Sequence, residues 1–176
     1  MDSSVPGIKF DQSGLCNHCA EFDSNINLFR FTDIESVKRL ELIATKLKSA
    51  AKGNEYDSII GLSGGVDSSY AAFVAHKLGL NPLAIHFDNG WNSEIAVSNI
   101  KKIVDKCGFD LETYVINWPE FRDLQRSFFK ASVVDIEMVT DHAIFAAMFY
   151  YAKKYGIKYI LSGANFSTEN GMPGGW

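Results

Sequence analysis

Residues 56–74 form one continuous pattern: the apolar run Tyr56-Asp57-Ser58-Ile59-Ile60-Gly61-Leu62, then Ser63-Gly64-Gly65-Val66-Asp67-Ser68-Ser69, then the apolar start Tyr70-Ala71-Ala72-Phe73-Val74. A buried strand passing through a glycine and hydroxyl loop into a helix constrains the fold more than any other part of the chain. Glycines let backbone N–H groups approach an anion, the helix N-terminus adds partial positive charge, and serine hydroxyls donate to phosphate oxygens. The loop has the build of a polyphosphate cradle. The same residues also suit a plain glycine turn with a Ser or Asp N-cap.

The pattern continues beyond the loop. Hydrophobic runs and breakers predict strands at 57–62, 83–87, 111–116 and 157–162, and helices at 67–79, 92–107, 119–131 and 140–155. Strands alternating with helices predict an α/β fold, a parallel sheet covered on both faces in a three-layer sandwich. Ahead of them, Ile34, Val37, Leu40, Ile43, Leu47 and Ala50 recur at helical spacing, with Asp33 as N-cap and Gly53 as stop. That helix is expected to cover an apolar edge of the sheet. Residues 1–32 read as an irregular N-terminal segment and 33–176 as the nucleotide domain. A length of 176 residues, 47% of them hydrophobic, suits one domain plus attachments.

Charge and hydropathy remove several functions. The longest apolar stretch, Ala143 to Ala152, is far short of the roughly 20 residues of a membrane span, and the N-terminus lacks a charged-then-apolar signal. A cytoplasmic protein is expected. A net charge of −4 gives no general attraction to nucleic acid.

In open parallel sheets ligands bind beyond the carboxyl ends of the strands, and all four predicted ends carry polar or glycine residues. They are the glycine loop, His86-Phe87-Asp88-Asn89-Gly90-Trp91, Asn117-Trp118-Pro119, and Ser162-Gly163-Ala164-Asn165. The expectation is that they converge on one crevice. Asp88 has two readings, a cleft carboxylate for magnesium or the reacting group, or the turn residue of Asp88-Asn89-Gly90. Asp67 likewise suits a helix N-cap and a phosphate-site organiser. His86, a lone strand histidine, reads first as structural. Thr140 reads as the N-cap of the last helix and Asp141 as a first-turn acid, whereas Asp135 and Glu137 lie upstream and are candidates for substrate or metal. The aromatic run 143–151 reads as helix core.

Cys16 and Cys19 have the spacing of a zinc knuckle, but a structural zinc needs four ligands. His18 lies between them and is badly placed to join, and Cys107 reads as a buried thiol. The pair is therefore half a zinc site completed by residues elsewhere, a redox or sulfur-handling pair, or without a role. A redox pair is expected at a strand-to-helix junction, which residues 1–32 do not resemble.

No Lys follows the second glycine of the loop, and neither GxxxxGK[ST] nor GxGxxG is present. The string SGGVDSS instead resembles the PP-loop of the ATP pyrophosphatase superfamily, which cleaves ATP between the α and β phosphates and adenylates a substrate oxygen. The implied fold is the Rossmann-like adenine nucleotide alpha hydrolase fold. GLCNHC, IIGLSGGVDSSY, HFDNGWNSE, DIEMVTDHAI and IKYILSGANFSTENGMPGGW together resemble the N-acetyl sugar amidotransferases of that superfamily, which act in lipopolysaccharide and other bacterial surface-sugar biosynthesis.

That resemblance implies ATP and Mg2+ as cofactors; Zn2+ at Cys16 and Cys19 stays one of the three readings of that pair. It places the pyrophosphate on Ser63, Gly64, Gly65, Asp67, Ser68 and Ser69, the adenosine on the backbone around Ile85, His86, Phe87 and Gly163, and adds Leu62, Val66 and Asn165 as further cofactor-binding candidates. Asp67, Asp88, Asp135 and Glu137 become candidate catalytic groups, and Asn165 and Glu169 candidate substrate groups. The implied substrate is a nucleotide-linked N-acetyl sugar. No glutaminase nucleophile context is recognisable, so the implied ammonia source is a separate glutaminase with a cyclase-like partner; a homodimer is also compatible. Members of the family are longer, and this chain stops at Gly171-Met172-Pro173-Gly174-Gly175-Trp176, which resembles the middle of an active-site loop. The expectation is a C-terminally truncated piece that binds ATP, with or without turnover. The competing readings are a transfer-RNA sulfur-inserting PP-loop enzyme and a non-catalytic adenine-nucleotide sensor.

Overall fold

A computed structural model describes residues 2–164. The chain divides into two compact units, one of residues 40–163 and one that contains residues 2–39.

The larger unit is built on four strands, β1 (Ser58–Gly61), β2 (Pro82–Asp88), β3 (Leu111–Val115) and β4 (Ile160–Leu161), in the order β3-β2-β1-β4 with every pairing parallel. Ile59 faces Leu83 and Ile60 faces Ala84 across the first pair. Successive strand residues point to opposite faces, and the core splits accordingly. Ile60, Leu62 and Ala84 pack against Ala44 and Leu47, Ala72 and Ala75, and Ile100. Those residues come from the end of α2 (Asp33–Ala50), from α3 (Val66–Lys77) and from α4 (Glu94–Cys107). Ile59, Leu83 and Ile85 pack the other way against Met148 and Tyr151 of α6 (Met138–Tyr155). The remaining helix of this unit, α5 (Trp118–Lys130), buries Phe121 and Gln125. This is the covered parallel sheet that the alternation predicts. Ile59 and Ile60 are fully buried, which explains why β1 reads as a continuous apolar run.

Several boundaries differ from expectation for physical reasons. The last strand was expected from 157, but Gly156 ends α6 in the left-handed region and Ile157 donates its N–H back to Ala152. Ile157 therefore serves as the buried residue after a helix C-cap, and pairing begins later. The last helix starts at Met138, so Glu137 is its N-cap position and Thr140 is buried inside the first turn. Gly65, not Asp67, occupies the N-cap position of α3. Thr32 precedes α2 and its hydroxyl accepts from the Glu35 N–H, which displaces Asp33 from that role. Only Ala44 and Leu47 of α2 are buried, a narrower apolar contact than the six-residue pattern predicts.

The smaller unit corrects the reading of residues 1–32 as irregular. It contains α1 (Asn17–Phe29), whose N-cap is Cys16; the Cys16 sulfur accepts from the backbone N–H of Cys19. A thiol is an unusual cap, so the sequence lacks the hydroxyl or carboxylate that normally announces a helix start. An antiparallel bridge joins Phe10 to Cys16 immediately before it.

Candidate functional site

The strand order fixes where a ligand can sit. From β1 the chain moves outward through β2 to β3, then returns to place β4 on the opposite side of β1. The chain leaves β1 toward β2 and later arrives at β4 on the other side of β1, and a crevice opens at that switch point. The structure has a cavity of about 330 Å3 there, within the range of small-molecule sites. Gly61, Leu62 and Ser63 line it from the end of β1, Ile85, His86 and Phe87 from β2, and Ser162 and Gly163 from the end of β4.

The glycine loop is held from several sides. Gly64 has φ +77°, and a Cβ placed on it would lie 2.3 Å from the Ala96 carbonyl oxygen. Asn99 of the same helix, α4, donates its side-chain amide to the Gly64 carbonyl at 3.1 Å. The Ser63 and Ser68 hydroxyls lie 3.1 Å apart, the Gly65 N–H donates to the Ser63 hydroxyl, and the Ser68 and Ser69 hydroxyls both donate to the Gly65 carbonyl. Gly163 approaches the start of α3 so closely that a Cβ would lie 3.0 Å from the Asp67 carbonyl carbon and the Ser68 nitrogen. Donors, hydroxyls and the N-terminus of a twelve-residue helix are thus gathered on one loop, a donor set that fits a polyphosphate.

The other predicted site residues fall into three groups. His86 is buried, and its Nδ1 donates to the Leu62 carbonyl at 3.1 Å, so the ring braces the strand that leads into the loop. Asp88 makes the turn after β2. Its Oδ1 accepts from the Gly90 N–H at 3.0 Å and from the Asn92 amide at 2.9 Å, and Asn92 lines the cavity. Val66, Asp67, Ser68 and Ser69 begin α3 without lining the cavity wall. Asp135 and Glu137 are exposed and do not line this cavity; the Ile136 carbonyl between them accepts from the Gln125 amide. Asn165 and Glu169 lie outside the described residues.

Sequence reasoning missed part of the wall. Ile144, Phe145 and Met148 of α6 line the cavity together with Asn89, Asn92, Ile160 and Leu161. The run 143–151 is therefore core on one side and site wall on another, which the 144, 145 and 148 spacing on one helical face signals. The expected convergence of four strand ends also needs correction. The residues after β3 do not line this cavity; Tyr114 and Ile116 instead line a second one with Phe87, Ala143 and Tyr150.

In the smaller unit the Cys16 and Cys19 sulfurs lie 3.3 Å apart. The Cys16 thiol is pulled below its ordinary pKa by the Cys19 backbone N–H and then by the Cys19 thiol, and Cys19 is pushed up by its partner. An isolated bridge, not a strand, precedes the helix N-cap at Cys16. No cluster of three or more metal-ligating side chains exists among the described residues, so they supply only two of the ligands a structural zinc needs. No helix among them is long and apolar enough to cross a membrane.

A profile for the queuosine biosynthesis protein QueC matches residues 57–174, which includes the strand, the loop and every wall of the cavity. The chain belongs to the QueC family. That membership places it in the PP-loop ATP pyrophosphatase superfamily, whose members are ATP-dependent adenylating enzymes. Among solved structures, the QueC-family chain is similar to the NMN synthetase from Francisella tularensis, with 21% identity and a TM-score of 0.57 over 78% of this chain and 56% of that one. It is also similar to the NH3-dependent NAD synthetase from Campylobacter jejuni subsp. jejuni NCTC 11168, at 17% identity and a TM-score of 0.54, covering 74% of this chain and 57% of that one. These likenesses show the fold, and the chain spans little more than half the length of either protein. A search of curated proteins returned no significant match.

Proposed function

We propose that this chain is the ATP-binding part of an AMP- and pyrophosphate-forming amidotransferase that acts on an N-acetyl group of a nucleotide-linked sugar. The observation that carries the nucleotide half is Gly64, left-handed and seated on the Ala96 backbone, which fixes the loop between the cavity residue Ser63 and the N-terminus of α3. The motif set ending in HFDNGWNSE and IKYILSGANFSTENGMPGGW supports the acetamido half.

The chemistry needs both. An amide oxygen is a poor leaving group, so the acetamido oxygen attacks the α-phosphorus of ATP and the bond to the β-phosphate bridging oxygen breaks, releasing pyrophosphate. Ammonia then adds to the activated carbon, AMP departs carrying the former amide oxygen, and an amidinium remains after loss of one proton. Ser63, Ser68, Ser69 and the N-terminus of α3 would hold the departing pyrophosphate, where donors placed for developing charge are worth most. Magnesium, when bound, would neutralise polyphosphate charge, and Asp67 at the start of α3 and Asp88 at the end of β2 are the carboxylates that would hold it. Phe145 and Met148, which line the cavity together with Ile85, His86 and Phe87, give it an apolar wall that suits an adenine ring. The Campylobacter relative is NH3-dependent, so this fold serves ammonia transfer elsewhere. The proposal includes an ammonia-supplying glutaminase with a cyclase-like partner and a cytoplasmic setting. Zinc belongs to it only if ligands beyond the described residues join Cys16 and Cys19.

A second reading, a queuosine-precursor substrate, is favoured by the name of the matching family. Phosphorus NMR of the protein with magnesium ATP, an ammonium salt and nucleotide-linked diacetamido sugars separates the two. Sugar-dependent AMP and pyrophosphate are expected. ADP formation would sink the PP-loop mechanism, and AMP formation indifferent to every sugar would favour the queuosine reading.

A further inference from the structure

Trp91 and Trp118 do not line the nucleotide cavity, yet they meet beside it. Trp91 sits in the loop after β2 and Trp118 opens α5 just beyond β3, and their ring centroids lie 5.4 Å apart at 76°. Trp91 is 65% exposed and Trp118 36%. The corner is held in place from below. Gly90 has φ +81°, and a Cβ there would lie 3.0 Å from the Trp118 ring, so glycine is what allows the turn to press against that indole. The Gly90 N–H is fixed by Asp88 and the Trp91 N–H donates to the Asn89 side chain. Phe121 backs Trp118 from the next turn of α5. Two large rings, braced by a turn and left open to solvent, are an unusual surface for a globular unit.

We propose that Trp91 and Trp118 form the subsite for the acceptor, stacking the apolar face of its acetamido-bearing pyranose ring. This assignment rests on the sugar reading of the site. The placement favours the sugar over the rest of a nucleotide-linked substrate. Asn89 and Asn92, on either side of Trp91, both line the cavity that also contains Ser63. A ring resting on Trp91 is therefore the one whose substituent can enter the nucleotide site, and the reacting acetamido group is on the sugar. Asp88 and Glu94 flank this loop, an electrostatic setting that suits an uncharged ring better than phosphates. Indole faces offer large apolar area with little conformational freedom to lose, and the Asn89 and Asn92 amides supply polar groups for hydroxyls and the acetamido oxygen.

The test uses the full chain, an ATP analogue with a non-hydrolysable α–β linkage, and UDP-N-acetylglucosamine as probe, with UDP alone as the second arm. Titration calorimetry should show Trp91→Ala weakening the sugar nucleotide about tenfold or more, as for loss of one stacking partner. Trp91→Phe should recover most of that loss, and the affinity for the ATP analogue should be unchanged in both. Retained analogue binding also certifies that each variant is folded. The proposal is overturned if Trp91→Ala binds the sugar nucleotide as well as the wild type, or if the wild type does not bind it. It is equally overturned if binding of UDP alone falls by the same factor, because the rings would then hold the base. Failure of the sugar reading is separable. A wild type that binds the probe through Trp91 but forms no AMP with any acetamido sugar keeps the subsite and loses the reaction, whereas sugar-dependent AMP with unaltered binding by Trp91→Ala does the reverse.

Discussion

Gly64 carries a constraint that Gly108 does not. Both have positive φ, +77° and +70°, but a Cβ on Gly108 meets nothing within 4 Å while one on Gly64 would lie 2.3 Å from the Ala96 carbonyl oxygen. Gly108→Ala should therefore lose only the left-handed backbone cost, about 1–2 kcal/mol. Gly64→Ala should lose more, and should lose ATP binding with it because α4 must move away from the loop. Chemical denaturation and nucleotide titration of the two variants check both expectations. Asp88 allows a cleaner separation of shape from charge. Its Oδ1 accepts both turn bonds, and Asn in its place retains that acceptor. Asp88→Asn is expected to bind ATP to within a few-fold of the wild type while AMP formation collapses; a nucleotide sensor would have no turnover to lose. Tyr56 makes a different point. Burial, followed by its hydrogen bond to Asp110 at 3.0 Å, pushes its hydroxyl up to about 12, against about 10 in an unfolded chain. A raised pKa contributes stability that is complete below pH 10 and lost as pH rises toward 12. Denaturation midpoints of the wild type should fall across that window, and Tyr56→Phe should lack this component after an initial loss of about 1 kcal/mol near neutrality.

At the scale of elements, the edge strand β3 is fastened to the end of α6 by one carboxylate. Glu112 accepts from the Tyr155 hydroxyl and from Lys154 Nζ at 3.1 Å, and these bonds, the tyrosine's first, hold its carboxyl below the ordinary range. A depressed carboxylate contributes stability above its unfolded pKa of about 4.3, lost as pH falls through the folded value. Glu112→Gln should cost about 0.5–1 kcal/mol at pH 7, as befits a partly exposed pair. The gap from the wild type should close below about pH 4 in denaturant titrations at several pH values. The strands and helices themselves were largely legible from the sequence because apolar periodicity follows burial. β1 and β2 read correctly as continuous apolar runs, since both faces are covered. The ends were less legible. Ile157 looks like a strand residue but is spent on a helix cap, and α1 starts at a thiol whose capping bond is visible only in three dimensions.

For the whole molecule, the switch point is what turns separate segments into a site. Loops after β1, β2 and β4 face one cavity because the chain reverses direction across the sheet, while the residues after β3 do not reach it. The sequence shows which segments are strand ends but not their order, so a convergence of all four was a natural expectation. The pairing of β3 beside β2 brings Trp118 from α5 against Gly90 and Trp91, residues some distance apart in the chain. The return of the chain to β4 turns the Phe145 and Met148 side of α6 toward the strand ends.

The glycine loop, its place between a strand and a helix, and the parallel α/β class were determined by local sequence, because φ preference, period and breaker residues act over a few positions. The wall of the cavity, the brace from His86 to Leu62, the seat of Gly64 on Ala96 and the paired tryptophans were decided only by tertiary structure. Each joins residues from different elements, and their meeting depends on strand order and helix packing that no short stretch of chain encodes.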